Sequence, residues 1–190
     1  PDMSVNPVFC AASILTNTAT AWVNQITAGR TVTLGVTSIQ GGEAPNVIPD
    51  TADILGSLRF FNDEEGEKAV RIFKNVAEHT AAMNNCQVQF DDRFCVLCAP
   101  VINDEYYSNL TALPEVLPEN VTVSSCEPWY ASESFSCYRR ICPSVLAHLG
   151  INNPSYGSGA AHHNGFFDVD EGVLSTGVIS TLKFVAMLQK

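Results

Sequence analysis

Basic residues are scarce in this sequence: ten Lys and Arg stand against twenty Asp and Glu, for a formal charge of -10 and a pI near 4.6. That balance argues against a nucleic-acid backbone or an anionic membrane surface as partner, because either would repel the chain. Long apolar runs are missing too. Thr, Ser, Asn or Lys interrupts each one short of the roughly 18 residues of a membrane span, and no basic-then-apolar leader opens the chain; a soluble, cytoplasmic protein is expected. Histidine is confined to four positions, His79, His148 and the adjacent His162 and His163. Internal repeats, low-complexity tracts, a Gly-rich phosphate loop, a Ser nucleophile elbow and a paired-carboxylate motif are all absent. What is present is material for a core: 46% of the 190 residues are hydrophobic, enough for one ordinary domain or two small ones. A small molecule or another protein is the expected partner.

The seven cysteines are an odd number in a chain with ample core, so reduced thiols are expected rather than a disulfide framework. Cys95-Val-Leu-Cys98 has a suggestive spacing, but a structural zinc wants a second such pair and a redox site wants a helix N-terminus, whereas these residues sit in an apolar run. Small buried thiols are the expectation. Asn109-Leu-Thr111 and Asn120-Val-Thr122 match the glycosylation acceptor pattern without a secretory context. The chain begins at Pro1 rather than Met, and a piece of a longer protein is expected.

Apolar residues at three- and four-residue steps (Val8, Ala11, Ala12, Leu15, Ala19, Trp22, Val23, Ile26) predict a helix from Asn6 to Gln25, with Asn6 and Pro7 as N-cap and first helical residue. Thr31 to Gln40 alternates as a strand, and Ala52 to Phe60 as a second that pairs with it in a hairpin. Asp63 to Asn84 reads as a helix with an acidic first turn. Cys86, Val88 and Phe90 alternate as a third strand. Helix, strand, strand, helix, strand becomes a split βαβ unit, two helices on a four-stranded antiparallel sheet, once a strand preceding Pro1 is added. Beyond Phe94 prolines punctuate a helix predicted over 103–117, short strands over 121–124 and 145–149, and a final helix over 168–189, which suggests a separate α/β layer.

His162 and His163 follow the Gly-rich Tyr156 to Ala160 segment and precede the last helix, where open α/β sheets place ligands. Neighbouring side chains on an extended loop diverge, so at most one of the pair faces a site. Arg59 is expected to form an ion pair with Asp53, Asn46 to serve a turn, and Glu133 to be a buried acid or a loop charge.

Gly41-Gly42-Glu-Ala-Pro-Asn46-Val-Ile-Pro-Asp50 followed by Leu55-Gly-Ser-Leu-Arg59 closely resembles the lid-domain signature of the M20 metallopeptidases, in the amidohydrolase branch that includes aminoacylase-like, hippurate and auxin-conjugate hydrolases. Pro1 to Val8 is similar to the end of that branch's Pro-His-x-Gly-x-Asp-Pro segment, Ser132-Glu133-Ser134-Phe135 to its Ser-Glu-Asp-Phe motif, Pro143 to Gly150 to the apolar strand that follows, and His163-Asn-Gly-Phe-Phe-Asp-Val-Asp-Glu171 to its last metal-binding motif. The resemblance implies an α/β fold in two parts. Residues 1–94 would be a lid and dimerisation domain lacking its first strand, and residues 95–190 the C-terminal part of a zinc-peptidase-like catalytic domain.

It further implies a homodimer through the lid sheet, two divalent metal ions, zinc or manganese, and hydrolysis of N-acyl amino acids or similar small amides. A metal-activated water would attack the amide carbonyl while metals and a donor stabilise the oxyanion. By this resemblance His163 is a metal ligand and Asn46 and Arg59 bind the substrate's polar or carboxylate end, while the general base lies upstream of residue 1. Alone, this chain is expected to hold no metal and to be inactive. Asp2 stands in place of a second lid histidine, Ser4 in place of a Gly, and Ser134 in place of the acid of Glu-Asp-Phe. These departures leave an alternative: a non-catalytic binding or dimerisation module, or an impaired homologue.

Overall fold

The computed structural model describes residues 2–93 and 98–189. Cys95 of the Cys-x-x-Cys pair and the expected boundary between residues 94 and 95 lie outside the described residues. The chain forms two compact units, Pro1–Pro100 with Tyr130–Ser136, and Val101–Trp129 with Cys137–Lys190.

The first unit starts with helix α1, Pro7–Gln25, whose N-cap Asn6 accepts hydrogen bonds from the backbone of Val8 and Phe9 at 2.9 and 3.3 Å, with Pro7 at the first helical position. Strands β1, Val32–Gln40, and β2, Asp53–Phe60, pair antiparallel, with Val32 opposite Phe60 and Gln40 opposite Asp53. A bulge at Thr37 shifts the register between Val36 and Ser38. Strict alternation would turn Ile39 outward, but the extra residue reverses the parity and sets Ile39 opposite Ile54, on the face of Val32 and Leu34. Helix α2, Asp63–Met83, is capped by Asn62, whose side chain accepts from the Glu65 N–H at 3.0 Å, and carries Asp63, Glu64 and Glu65 at the positive end of its dipole.

The core between α1 and α2 is built from small residues. Cys10, Ile14, Ala77 and Ala81 form its centre, with Ile54, Phe73, Cys86, Val88 and Phe90 packed around them. The buried side of α1 is Cys10, Ala11, Ile14, Thr18 and Ala21, turned away from the predicted stripe, and Val23 is 86% exposed. Apolar residues lie almost all round this helix, so periodicity does not choose a face; Cys10, Ala11 and Ala21 are small enough to let α1 approach Ala77 and Ala81. Polar ties hold the helices in place: Asn17 donates to Thr80 Oγ1 at 3.0 Å, and the Trp22 indole donates to the Val32 carbonyl at 3.1 Å. The buried Glu65 carboxylate accepts from Thr27 Oγ1 at 2.5 Å with Lys68 Nζ 3.8 Å away; the Thr27 bond first, and Lys68 among the lesser causes, hold its pKa below the usual 4.5.

Close packing of α2 on β2 depends on one glycine. A Cβ at Gly66 would meet the Phe60 ring at 2.6 Å. Gly66→Ala is expected to cost about 1–3 kcal/mol by forcing the ring or the helix aside, read as a lower urea midpoint with an unchanged slope. An unshifted midpoint would contradict this packing.

Among the described residues the sheet has two strands, not the four expected. Residues 86–90 keep the period-two burial of a strand, with Cys86, Val88 and Phe90 half-buried and Gln87 and Gln89 exposed, but make no ladder. The helix predicted over 103–117 is α3, Glu105–Thr111, followed by turns. The strands predicted over 121–124 and 145–149 are absent from the described residues. Around the second of these, the Asn103 amide donates to the Leu146 carbonyl at 3.0 Å and accepts from its N–H at 2.9 Å, so a side chain stands where a neighbouring strand would bond.

The last helix is α4, Leu174–Leu188, entered through a 3₁₀ turn over Glu171–Val173 that Asp170 caps. Leu174, Val178, Leu182, Val185 and Leu188, at three- and four-residue steps along it, are exposed. By length and composition alone Glu171–Leu188, with mean hydropathy 1.3, is apolar enough to cross a membrane, which corrects the expectation that every apolar stretch is broken short of that length. It contains Glu171 and Lys183, and the Lys183 ammonium donates to the Leu117 carbonyl at 2.9 Å.

Candidate active-site residues

Arg59 lies near the end of β2, opposite Thr33, and donates from Nη1 to Ser132 Oγ at 2.5 Å. The expected ion pair with Asp53 is not formed: Asp53 is paired in register with Gln40 at the other end of the hairpin. Beside Arg59 the Phe61 and Tyr130 rings meet edge to face at 4.9 Å. The Ser132 to Phe135 motif is thereby joined to β2, a contact across 73 residues of sequence that no local pattern reveals. Ser132 occupies one arm of the guanidinium and leaves further N–H groups of the fork for a planar anion such as a carboxylate.

Asn46 is exposed in the turn Ala44 to Val47, closed by the Val47 N–H donating to the Ala44 carbonyl at 3.3 Å. Gly42, at φ 77°, provides the left-handed step that leads into this connection. Asn46 is therefore at one end of the hairpin and Arg59 at the other, about 20 Å apart along the strands; the structure does not bring them together. Glu133 is exposed and its Oε1 accepts from the Phe135 N–H at 3.2 Å. It is a local cap for the 3₁₀ turn over Ser134–Arg140 rather than a buried acid. His79 sits on α2 with Nδ1 at 2.8 Å from the Asn75 carbonyl one turn back, a bond internal to the helix.

The second unit separates the two adjacent histidines. Asn153 anchors the Gly-rich segment before them, its backbone N–H donating to Ser158 Oγ at 2.6 Å and its side-chain amide to Asp170 Oδ2 at 2.7 Å. Asp170 also accepts from the Gly172 N–H at 2.9 Å, tying that segment to the entry of α4. Between these anchors Ala161 to Asn164 make a turn, with the Asn164 N–H donating to the Ala161 carbonyl at 3.2 Å and His163 at φ 64°. His162 stacks on Trp129 at 5.2 Å and on Phe167 at 5.1 Å, and Trp129 also meets His148 at 5.2 Å. Both histidines are exposed, and these ring contacts involve His162 rather than His163. The positive-φ non-glycine residues described are Asn85, Asn120 and His163. Asparagine and histidine are both enriched in that conformation among non-glycine residues, which here places His163 in a tight turn.

Across the whole chain the comparisons with known proteins agree. Residues 1–84 match the family model of the M20 peptidase dimerisation domain. The chain is similar to thermostable carboxypeptidase 2 of Saccharolobus solfataricus, 25% identical over 184 residues that cover 95% of this chain and 45% of that protein. It is similar also to N-acetylcysteine deacetylase of Bacillus subtilis, 26% identical over 175 residues, 92% of this chain and 44% of that one. The crystal structure of the Bacillus subtilis YXEP protein, a dinuclear metal binding peptidase from the M20 family, has the same fold, with a TM-score of 0.73 and 21% identity over 97% of this chain and 46% of that one. The chain thus spans less than half the length of these relatives, and the M20 resemblance read from its motifs is confirmed.

Among the described residues no three His, Cys, Asp or Glu side chains gather as a metal cluster. An open catalytic zinc takes about three protein ligands.

Proposed function

We propose that this chain is part of a metal-dependent amidohydrolase that cleaves the amide bond of N-acyl amino acids or similar small amides. Residues 1–94 serve as the lid and dimerisation domain, and residues 95–190 as the C-terminal part of the catalytic domain. The intact protein is a cytoplasmic homodimer that works with two divalent ions, zinc or manganese. Its lid sheet has four strands, the missing one lying between β2 and residues 86–90. That assignment is supported by the strand-like burial of 86–90 without a ladder and by the second edge of β2, which pairs with no strand among the described residues.

The observation that carries the reading is His163, set apart from the aromatic stack in a left-handed turn within a loop anchored from both sides. We assign it as one metal ligand. Arg59 binds the substrate carboxylate, in keeping with relatives whose names describe a carboxypeptidase and an N-acetyl amino acid deacetylase. Both substrates carry a carboxylate beside the scissile amide. Asn46, at the far end of the hairpin, would reach a substrate held by the second copy of the dimer.

The test is turnover of an N-acyl amino acid by the intact protein before and after chelation, compared with an N-acyl amine of the same size that lacks the carboxylate. Activity lost on chelation and restored by zinc or manganese is expected. Arg59→Met should raise KM for the acid by about 10–100-fold and leave the amine nearly unchanged, since a hydrogen-bonded charge is removed. A metal-loaded, folded dimer without turnover would establish the impaired homologue instead, with Ser134 the first position to restore to Asp.

A further inference from the structure

Two of the cysteines meet inside the first unit, for reasons that local structure makes plain. Helix α2 ends with Asn85 in the left-handed conformation, φ 54°, and the Cys86 N–H donates back to the Ala81 carbonyl at 2.8 Å. This capping turn directs the residue after it onto the last turn of its own helix. Cys86 accordingly packs on the cluster of Ala77, Ala81, Ile14 and Cys10. Cys10, in the first turns of α1, is 4% exposed and belongs to the same cluster against which Cys86 packs. Cys86 is half-buried, so one thiol of the pair is reachable from solvent and the other is not. Neither has a part in the proposed hydrolysis.

We propose that Cys10 and Cys86 are an oxidisable thiol pair that closes to an intramolecular disulfide on reaction with a low-molecular-weight disulfide such as oxidised glutathione, stapling α1 to the end of α2. The Cys86 thiolate attacks one sulfur of the small disulfide, whose S–S bond breaks, leaving a mixed disulfide on Cys86 and releasing one thiolate. Cys10 then loses its proton to solvent and attacks the Cys86 sulfur, the mixed disulfide breaks, and the second thiolate leaves. Two protein thiols are oxidised and one small disulfide is reduced to two thiols. Burial first, and then the neighbouring Cys86, push the Cys10 thiol up to about 11, so the second step is the slow one. The bridge closes a loop of about 75 residues, long enough to remove much of the freedom of the unfolded chain. A core centred on two alanines, one isoleucine and one cysteine has little apolar area of its own and gains correspondingly from a staple.

The intact protein, incubated with oxidised glutathione, then unfolded and alkylated with iodoacetamide, is expected to carry no carbamidomethyl group on Cys10 or Cys86 and to yield a linked Cys10–Cys86 peptide, about 2 Da lighter than the sum of the two reduced peptides, that dithiothreitol separates. The thermal midpoint should rise on the order of 10 °C in the oxidised form. Cys10→Ala should hold the glutathione adduct on Cys86 without closing, and Cys86→Ser should take up none at this pair, while both keep the reduced wild-type circular dichroism. Cys10 remaining open to alkylation after unfolding, an adduct on wild-type Cys86 that never resolves, or Cys10 linked to another cysteine would each overturn the proposal.

Discussion

His163→Ala in the intact protein is expected to lower kcat/KM for an N-acyl amino acid by about 1,000-fold or more and to reduce bound metal, because loss of the proposed ligand would open a site that needs its full complement to hold and polarise. His162→Ala should stay within about tenfold, since that ring is packed between Trp129 and Phe167 and would act only through the loop's position. The left-handed backbone at His163, φ 64°, supplies a control that separates folding from chemistry. His163→Gly relieves the backbone and is expected to be as stable as wild type or more stable by up to about 1 kcal/mol, while remaining as inactive as the alanine variant. Metal content and the thermal midpoint, measured on all three variants, check this. Equal activity loss in His162→Ala and His163→Ala, with metal retained in both, would move the ligand assignment off His163.

Ile14→Ala is expected to carry the largest stability effect in the first unit, about 3 kcal/mol within the usual 2–5 kcal/mol for such a truncation. Ile14 is 5% exposed, and it is the one large side chain at the centre of a cluster otherwise made of Cys10, Ala77 and Ala81. Small neighbours on two rigid helices cannot move in to fill the cavity. Val23→Ala, on the same helix but 86% exposed, should change stability by less than about 0.5 kcal/mol. The pair of urea midpoints distinguishes the observed face of α1 from the stripe that periodicity alone predicts, in which Val23 is buried and Ile14 is not.

That contrast shows where sequence reading stops. Asn6 with Pro7, and Asn62 with its three following acids, announce helix starts because a cap is satisfied within three residues of itself. The β1–β2 hairpin is legible for the same reason, the alternation of each strand being local. The face that α1 buries is not, because nearly every face is apolar and the choice falls to the small residues of α2. The Thr37 bulge is equally hidden: one inserted residue reverses the side on which Ile39 lies, and nothing in Val36-Thr37-Ser38-Ile39 announces it.

The candidate site divides in the same way. Motif resemblance selects Arg59, Asn46 and His163. It does not show that Ser132 holds Arg59, that a hairpin's length separates Arg59 from Asn46, or that His162 is taken up by an aromatic stack. The strands expected over 121–124 and 145–149 failed because a strand exists only through its neighbours' hydrogen bonds, and among the described residues Leu146 bonds the Asn103 side chain and the Val121 N–H the Pro118 carbonyl instead.

The sequence by itself determined the starts of α1 and α2 at their caps, the hairpin, the family resemblance and the residue types available for chemistry, since all of these depend on neighbours within a few residues or on motifs read in order. Tertiary structure alone decided which side of α1 is core, which histidine joins the aromatic rings, and which two cysteines share a core, because each depends on side chains brought together from far along the chain, where packing rather than local preference sets the outcome.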